Sequence, residues 1–192
     1  MSKRLMGPST AFFPLPTVLI GTGTVEESDV TAVAWMTVAT ATPPSFAIAL
    51  RDSRRSLEQI RATGELTVNL PNRDLVAETD YCGLVSGRNA EKAKVAGLVL
   101  EQGAKVTAPI VTGCKYSFEC KVTAEYPLGE YALVIAEIVE TQADEDALTE
   151  HGQLDIGKIA PLVYCGGLRE YREIGQKVAD AYKVGRPLLA DE

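Results

Sequence analysis

Residues 29–56 read DVTAVAWMTVATATPPSFAIALRDSRRS, and the reading of this run decides the fold. It opens as a long apolar strand rich in small residues and interrupted by hydroxyls. Val30–Thr40 alternates Val30, Ala32, Ala34, Met36 and Val38 against Thr31, Val33, Trp35, Thr37 and Ala39. Neither set carries a charge, so neither faces bulk water freely. One face supplies core; the other needs cover from a ligand, a partner chain or another layer. Pro43-Pro44 turns the chain into a second strand, where Phe46, Ile48 and Leu50 are bulky and Ala47 and Ala49 small. Arg51, Ser53, Arg54 and Ser56 then arrive just where a helix should begin. A helix start offers unpaired amides and a positive dipole end, and arginine adds bidentate contacts to phosphate oxygens. A flat small-residue surface beside an anion-binding corner suits a flat, phosphorylated ligand.

Upstream, Thr17–Thr22 reads as a strand ended by Gly21 and Gly23. The GTG tempts a dinucleotide-binding reading, but Glu26 stands where the third glycine belongs and no helical pattern follows,. Downstream, Ser56–Thr63 predicts a helix with Ser56 as N-cap and Gln59 completing a capping box, stopped by Gly64,. Leu66–Leu70 is a strand ending at Pro71. Asn72 caps a helix through Leu75, Val76 and Thr79, and a helix from about Asn89 ends at Gly97. Ser86-Gly87-Arg88 and Lys92 form a second candidate anion site. A lysine early in a helix opposes the helix dipole, so it serves another charge. Ser117–Glu125 predicts a strand with Phe118, Cys120, Val122 and Ala124 inward and Ser117, Glu119, Lys121 and Thr123 outward,. Tyr131–Val139 and Ile159–Cys165 are further strands, and the tail from Leu168 reads as an arm. The pattern is a mainly β, α+β chain.

The 192 residues, 46% of them hydrophobic, suit one domain with a substantial core,. A net charge of -7 argues against nucleic acid and anionic membranes as partners, so any phosphate needs a local basic cluster,. No run is apolar enough for a membrane span, and the N-terminal MSKRLMGPSTAFFPLP is not a signal peptide,. Cys82, Cys114, Cys120 and Cys165 form no CxxC pair, and the single histidine, His151, is remote from them. Free thiols in a reducing cytoplasm are therefore expected, not a metal site. With no nucleophile or acid–base constellation, an enzyme of this sequence would let a cofactor carry the reaction.

The blocks DVTAVAWMTVAT, PPSFAIALRDSRRSLEQI, GELTVNLP and DYCGLVSGRNAEKAKVAGL, with FECKV, YALVIAEIVE and GQLDIGKIAPLVYCGGLREY, run from about Pro14 to Tyr171. In this order they resemble the flavoredoxin and flavin reductase-like family. The resemblance implies an FMN-binding split β-barrel with inserted helices, a homodimer holding FMN near the subunit interface. It implies one domain over 1–192, with a core of about 14–171 and an arm over 172–192. It places Ala34, Trp35, Met36 and Thr37 along the flavin ring. It places Arg51, Ser53, Arg54 and Ser56 at the phosphate and ribityl chain, with Ser86, Gly87, Arg88 and Lys92 nearby. NADH or NADPH would be the donor and a flavin or redox protein the acceptor. An FMN electron carrier without direct NAD(P)H use is the alternative, as is a non-catalytic flavin-binding dimer. The chain departs from the family at Asp29, often asparagine, and around Arg55-Ser56, where a threonine or aromatic is common. It departs again at Glu130-Tyr131, where the wider group often has an Asp-His pair.

Overall fold

A computed structural model describes residues 2–189. The organising run folds into three strands instead of the two expected. β3 (Asp29–Val33) stops at Ala34-Trp35, and β4 (Met36–Ala41) and β5 (Pro44–Arg51) form a hairpin across Pro43. Ahead of them stand β1 (Leu15–Pro16) and β2 (Val18–Thr22). Gly21 lies inside β2 and does not end it. A Cβ there would overlap the Pro109 carbonyl, so the glycine allows close backbone approach,. After β5 come helix α1 (Arg55–Thr63), β6 (Glu65–Asn69), a short 3₁₀ turn that Asn72 caps, and helix α2 (Val76–Leu84). Helix α3 (Lys92–Val95) is shorter than expected, and Glu91 rather than Asn89 precedes it. Then follow β7 (Leu100–Gln102), β8 (Pro109–Val111), β9 (Tyr116–Leu128), β10 (Tyr131–Ala143), α4 (Ile156–Ile159), β11 (Leu162–Cys165) and β12 (Glu170–Glu173).

Seven strands form one sheet in the order β3-β2-β6-β9-β10-β5-β4. The hairpin β11-β12 joins β1 in a second, three-stranded sheet. The bulky set of β5 does face the core: Phe46, Ile48 and Leu50 are buried with Leu57, Ile60, Leu66, Val68, Val134 and Cys120, while Ala47 and Ala49 stay half-buried on the other face. On β4 the uncharged residues after Met36 are open, the large apolar Val38 among them. A smaller cluster around Leu19, Val30, Cys82 and Val111 packs α2 and α3 against the far side of β2 and β3. All four cysteines are free and buried. Burial pushes the Cys82 thiol up to about 11, and those of Cys114 and Cys120 up to about 12. None of these three is a thiolate at neutral pH.

On β9 the structure corrects the expected alternation. Ser117 and Glu119 are buried, because β8 and the loop before it cover that face. The Glu119 carboxylate accepts hydrogen bonds from the amides of Ala104, Lys105 and Val106, and from Gln142. Burial pushes this carboxyl up, but those donors outweigh it and hold it below the usual glutamate range,.

Candidate functional site

The break between β3 and β4 is the start of a cleft. Ala32, Val33 and Ala34 form a wall of short side chains with a lobe on either side, and Arg54 reaches both lobes. One lobe, about 170 Å³, is bounded by Thr31, Trp35, Ala49, Arg51 and Tyr131. Trp35 leans on Tyr131 with ring centroids 5.2 Å apart, and the Arg51 guanidinium sits 5.1 Å over the Tyr131 ring. The other lobe, about 340 Å³, lies between α2 and the β11-β12 hairpin and is bounded by Asp80, Gly83, Leu84, Tyr164, Arg169 and Tyr171. The hydroxyl of Thr31 is buried and has no hydrogen-bond partner among the described residues.

The basic segment after β5 splits in two. Arg54 precedes α1 in extended conformation, and its Nη2 donates to the Gly83 carbonyl at 3.0 Å. Arg55 donates to the Gly87 carbonyl at 3.0 Å. The two arginines thus fasten the last turn of α2 and the loop after it to the start of α1. Ser53 is exposed beside them, and Arg51 pairs with Glu130 at 3.0 Å.

Ser56 takes the opposite direction, and here the expected cap is corrected. The helix begins one residue earlier, so Ser56 lies within its first turn and points inward. Its Oγ donates to Asp29 at 2.8 Å. Gln59 closes no capping box; it bonds Thr22 and the Glu27 carbonyl instead. The other oxygen of Asp29 pairs with Lys92 at 2.9 Å, both side chains being sealed from water. Lys92 also donates to the Cys82 carbonyl. A Cβ at Gly87 would overlap the Asp29 carboxylate, so the loop packs directly on this acid,. Ser56 and Lys92 are therefore neighbours of the cleft whose polar groups are already engaged.

The remaining candidates fall in three places. Ala34, Trp35, Arg51 and Arg54 line the smaller lobe. Met36 and Thr37 line a separate apolar groove of about 380 Å³ with Val18, Phe46 and Phe118. Ser86 accepts from the Arg88 amide in a turn, and the Arg88 side chain pairs with Glu58 at 2.8 Å. Sequence reasoning missed Asp29 as the hub, Arg55 as a tether, and the hairpin residues Tyr164, Arg169 and Tyr171. A single acid opening an apolar strand was the available signal for Asp29. The hairpin residues gave none, because they reach the cleft from the far end of the chain.

This fold and cleft define a class, and the chain belongs to it: residues 10–175 match the family of the flavin reductase like domain. Among solved structures, flavoredoxin of Desulfovibrio vulgaris (Miyazaki F) is 31% identical, with a TM-score of 0.90 over 96% of this chain and 100% of that one. A flavin reductase-type structure with a split barrel domain, from Shewanella frigidimarina, shares the fold at 24% identity and a TM-score of 0.77, over 86% of this chain and 84% of that one. Among curated relatives, the FMN reductase (NADH) RutF of Pseudomonas syringae pv. syringae is 26% identical over 113 residues, 58% of this chain and 61% of its own. Among the described residues, no helix is long and apolar enough to cross a membrane.

Proposed function

We propose that the chain is an FMN-dependent oxidoreductase that takes electrons from NADH or NADPH and passes them to a flavin or a redox protein. The observation that carries this reading is Arg54, standing where the alanine wall meets the start of α1. The donor set fits FMN. The Arg51 and Arg54 guanidinium groups and the first-turn amides suit a phosphate. The short side chains of Ala32 and Ala34 admit a flat ring to the backbone, and the unpartnered Thr31 hydroxyl lacks a hydrogen bond that a polar ligand can supply,. The family assignment and the printed name of RutF point the same way.

FMN, when bound, supplies a ring that accepts hydride and releases electrons. The protein's part is orientation. Arg54 neutralises phosphate while its bond to Gly83 keeps it in place. Ser53 adds an exposed hydroxyl, and Ser86, Gly87 and Arg88 border the same corner. Trp35 and Tyr131 wall the smaller lobe and keep water from one side of it. Ser56 and Lys92 act from behind, fixing the helix start and loop through Asp29. Met36 and Thr37 contribute to the reading only through the backbone of β4. The assembly in this reading is a cytoplasmic homodimer of one domain per chain, its core over about 14–171 and an arm over 172–192, with the open face of β4 covered by the second copy.

The test is spectroscopic. Protein loaded with FMN and desalted retains flavin absorption, and anaerobic NADH or NADPH bleaches it; a colourless preparation contradicts FMN binding. A second reading, an FMN electron carrier without direct nicotinamide use, draws on the likeness to flavoredoxin, 31% identical over 96% of this chain. Retained flavin that neither nicotinamide bleaches selects that reading.

A further inference from the structure

The larger lobe contains groups that the cofactor reading leaves unused. Arg169 stands on its rim, in the turn between β11 and β12, at φ 57. That turn contains Gly166 and Gly167, yet the left-handed position falls to an arginine, where an L side chain is disfavoured,. Its guanidinium has no hydrogen bond or ion pair among the described residues. The acids of the same hairpin are taken: Glu170 pairs with Arg172, and Glu173 with Arg73. Asp80, the acid of this lobe, accepts the Tyr171 hydroxyl at 3.0 Å. Tyr164 and Tyr171 stand with ring centroids 5.6 Å apart and present aromatic surface beside the free cation. Thr17 also lines the lobe, and its hydroxyl is buried without a partner. An unpaired cation, two tyrosines and an unsatisfied hydroxyl around about 340 Å³ describe a site for a flat ring carrying an anion,.

We infer that this lobe receives the second substrate, a flat heteroaromatic ring bearing a phosphate, and that Arg169 selects for the phosphate. The inference rests on the FMN reading, because the lobe shares the Ala32–Ala34 wall with the groove assigned to the cofactor. Two molecules share this chemistry: a nicotinamide dinucleotide and a second, free FMN. Arg54 and Arg51 serve the cofactor phosphate, so Arg169 is the cation left for the incoming one.

The test titrates FMN-loaded protein by equilibrium dialysis with NADP⁺ and with free FMN. Nicotinamide riboside and riboflavin serve as their phosphate-free counterparts. The main variant is Arg169→Gly, which removes the cation while giving the left-handed position the residue it favours; Arg169→Lys keeps the charge. The wild-type protein binds one of the two phosphate probes, and which one identifies the source. Arg169→Gly weakens that probe about tenfold or more, Arg169→Lys less, and neither changes the phosphate-free counterpart. Added salt weakens the wild type more than the Gly variant. The inference is overturned if wild-type protein binds neither probe, or if the variant weakens probe and counterpart equally. It is also overturned if Arg169→Gly retains less FMN than wild type, since Arg169 then belongs to the cofactor. Failure of the wild type to retain FMN sinks the cofactor reading instead, and shows before either probe is added.

Discussion

Asp29 and Arg54 lie on two sides of the same helix start, and their charges meet opposite fates. Asp29 is sealed from water, its charge paired with Lys92, one oxygen bonded by Ser56, and the Gly87 backbone packed close against it. Arg54 is half-buried, bonds only a carbonyl, and faces the cleft without a carboxylate partner. A buried charge must be paired, or its desolvation outweighs what it contributes. A charge meant for a ligand must stay within reach of solvent and outside any sealed pair, as Arg54 does and as Arg51 does in its open pair with Glu130. The start of the helix separates the two roles: Arg54 is the extended residue before it and reaches the Gly83 carbonyl, whereas Ser56 lies in the first turn and points in to Asp29. The sealed network holds the backbone, and the open cation is left for what comes from outside.

The contrast breaks most visibly at Lys92. Lys92→Met leaves the Asp29 carboxylate buried and unpaired, and we expect a loss of about 3–5 kcal/mol in urea unfolding. Replacing Asp29 by Leu in that background should recover part of it. A loss under about 1 kcal/mol for Lys92→Met would show that the pair does not hold the corner.

Glu119 extends the sealed class to a second site. Glu119→Gln puts an amide donor among three backbone donors and should cost about 1–3 kcal/mol at pH 7. The native carboxyl sits below its unfolded value. Its stabilising contribution is therefore present above the unfolded pKa of about 4.3 and is lost as pH falls through the lower folded value,. Thermal melts of wild type and variant should converge as pH drops below about 4.3. A gap that stays constant would mean the carboxylate charge is not what the loop amides hold.

The smallest effect belongs to the exposed pair. Arg51 and Glu130 both remain more than half open, so Glu130→Ala should change stability by less than about 1 kcal/mol,. By releasing Arg51 it should leave FMN affinity unchanged or tighter. A weaker FMN complex would show that the pair, and not Arg51 alone, shapes the lobe.

Much of this arrangement is legible in the residues. The alternation of Phe46, Ile48 and Leu50 against Ala47 and Ala49 fixes which face of β5 is core. Pro43-Pro44 marks the hairpin, and Gly64 and Gly97 mark helix ends with the positive φ that suits them. The interruption at Ala34-Trp35 is not legible, because nothing polar or glycine-like punctuates that run. Ser56 matches a capping pattern locally, yet its partner lies 27 positions away at Asp29, and the long-range bond overrides the local signal. Glu119 alternates as a solvent residue until a loop from elsewhere supplies its donors. Tyr164, Arg169 and Tyr171 join the cleft only because β11 pairs with β1.

The central claim is that the open cation, and not the sealed network, meets the cofactor's phosphate. Arg54→Ala tests it most directly, by titrating FMN and riboflavin against wild type and variant. The account predicts that the variant loses at least about tenfold in FMN affinity while riboflavin affinity is unchanged, since only FMN carries the charge that Arg54 would meet. Equal losses for both ligands, or no loss for FMN, would contradict it.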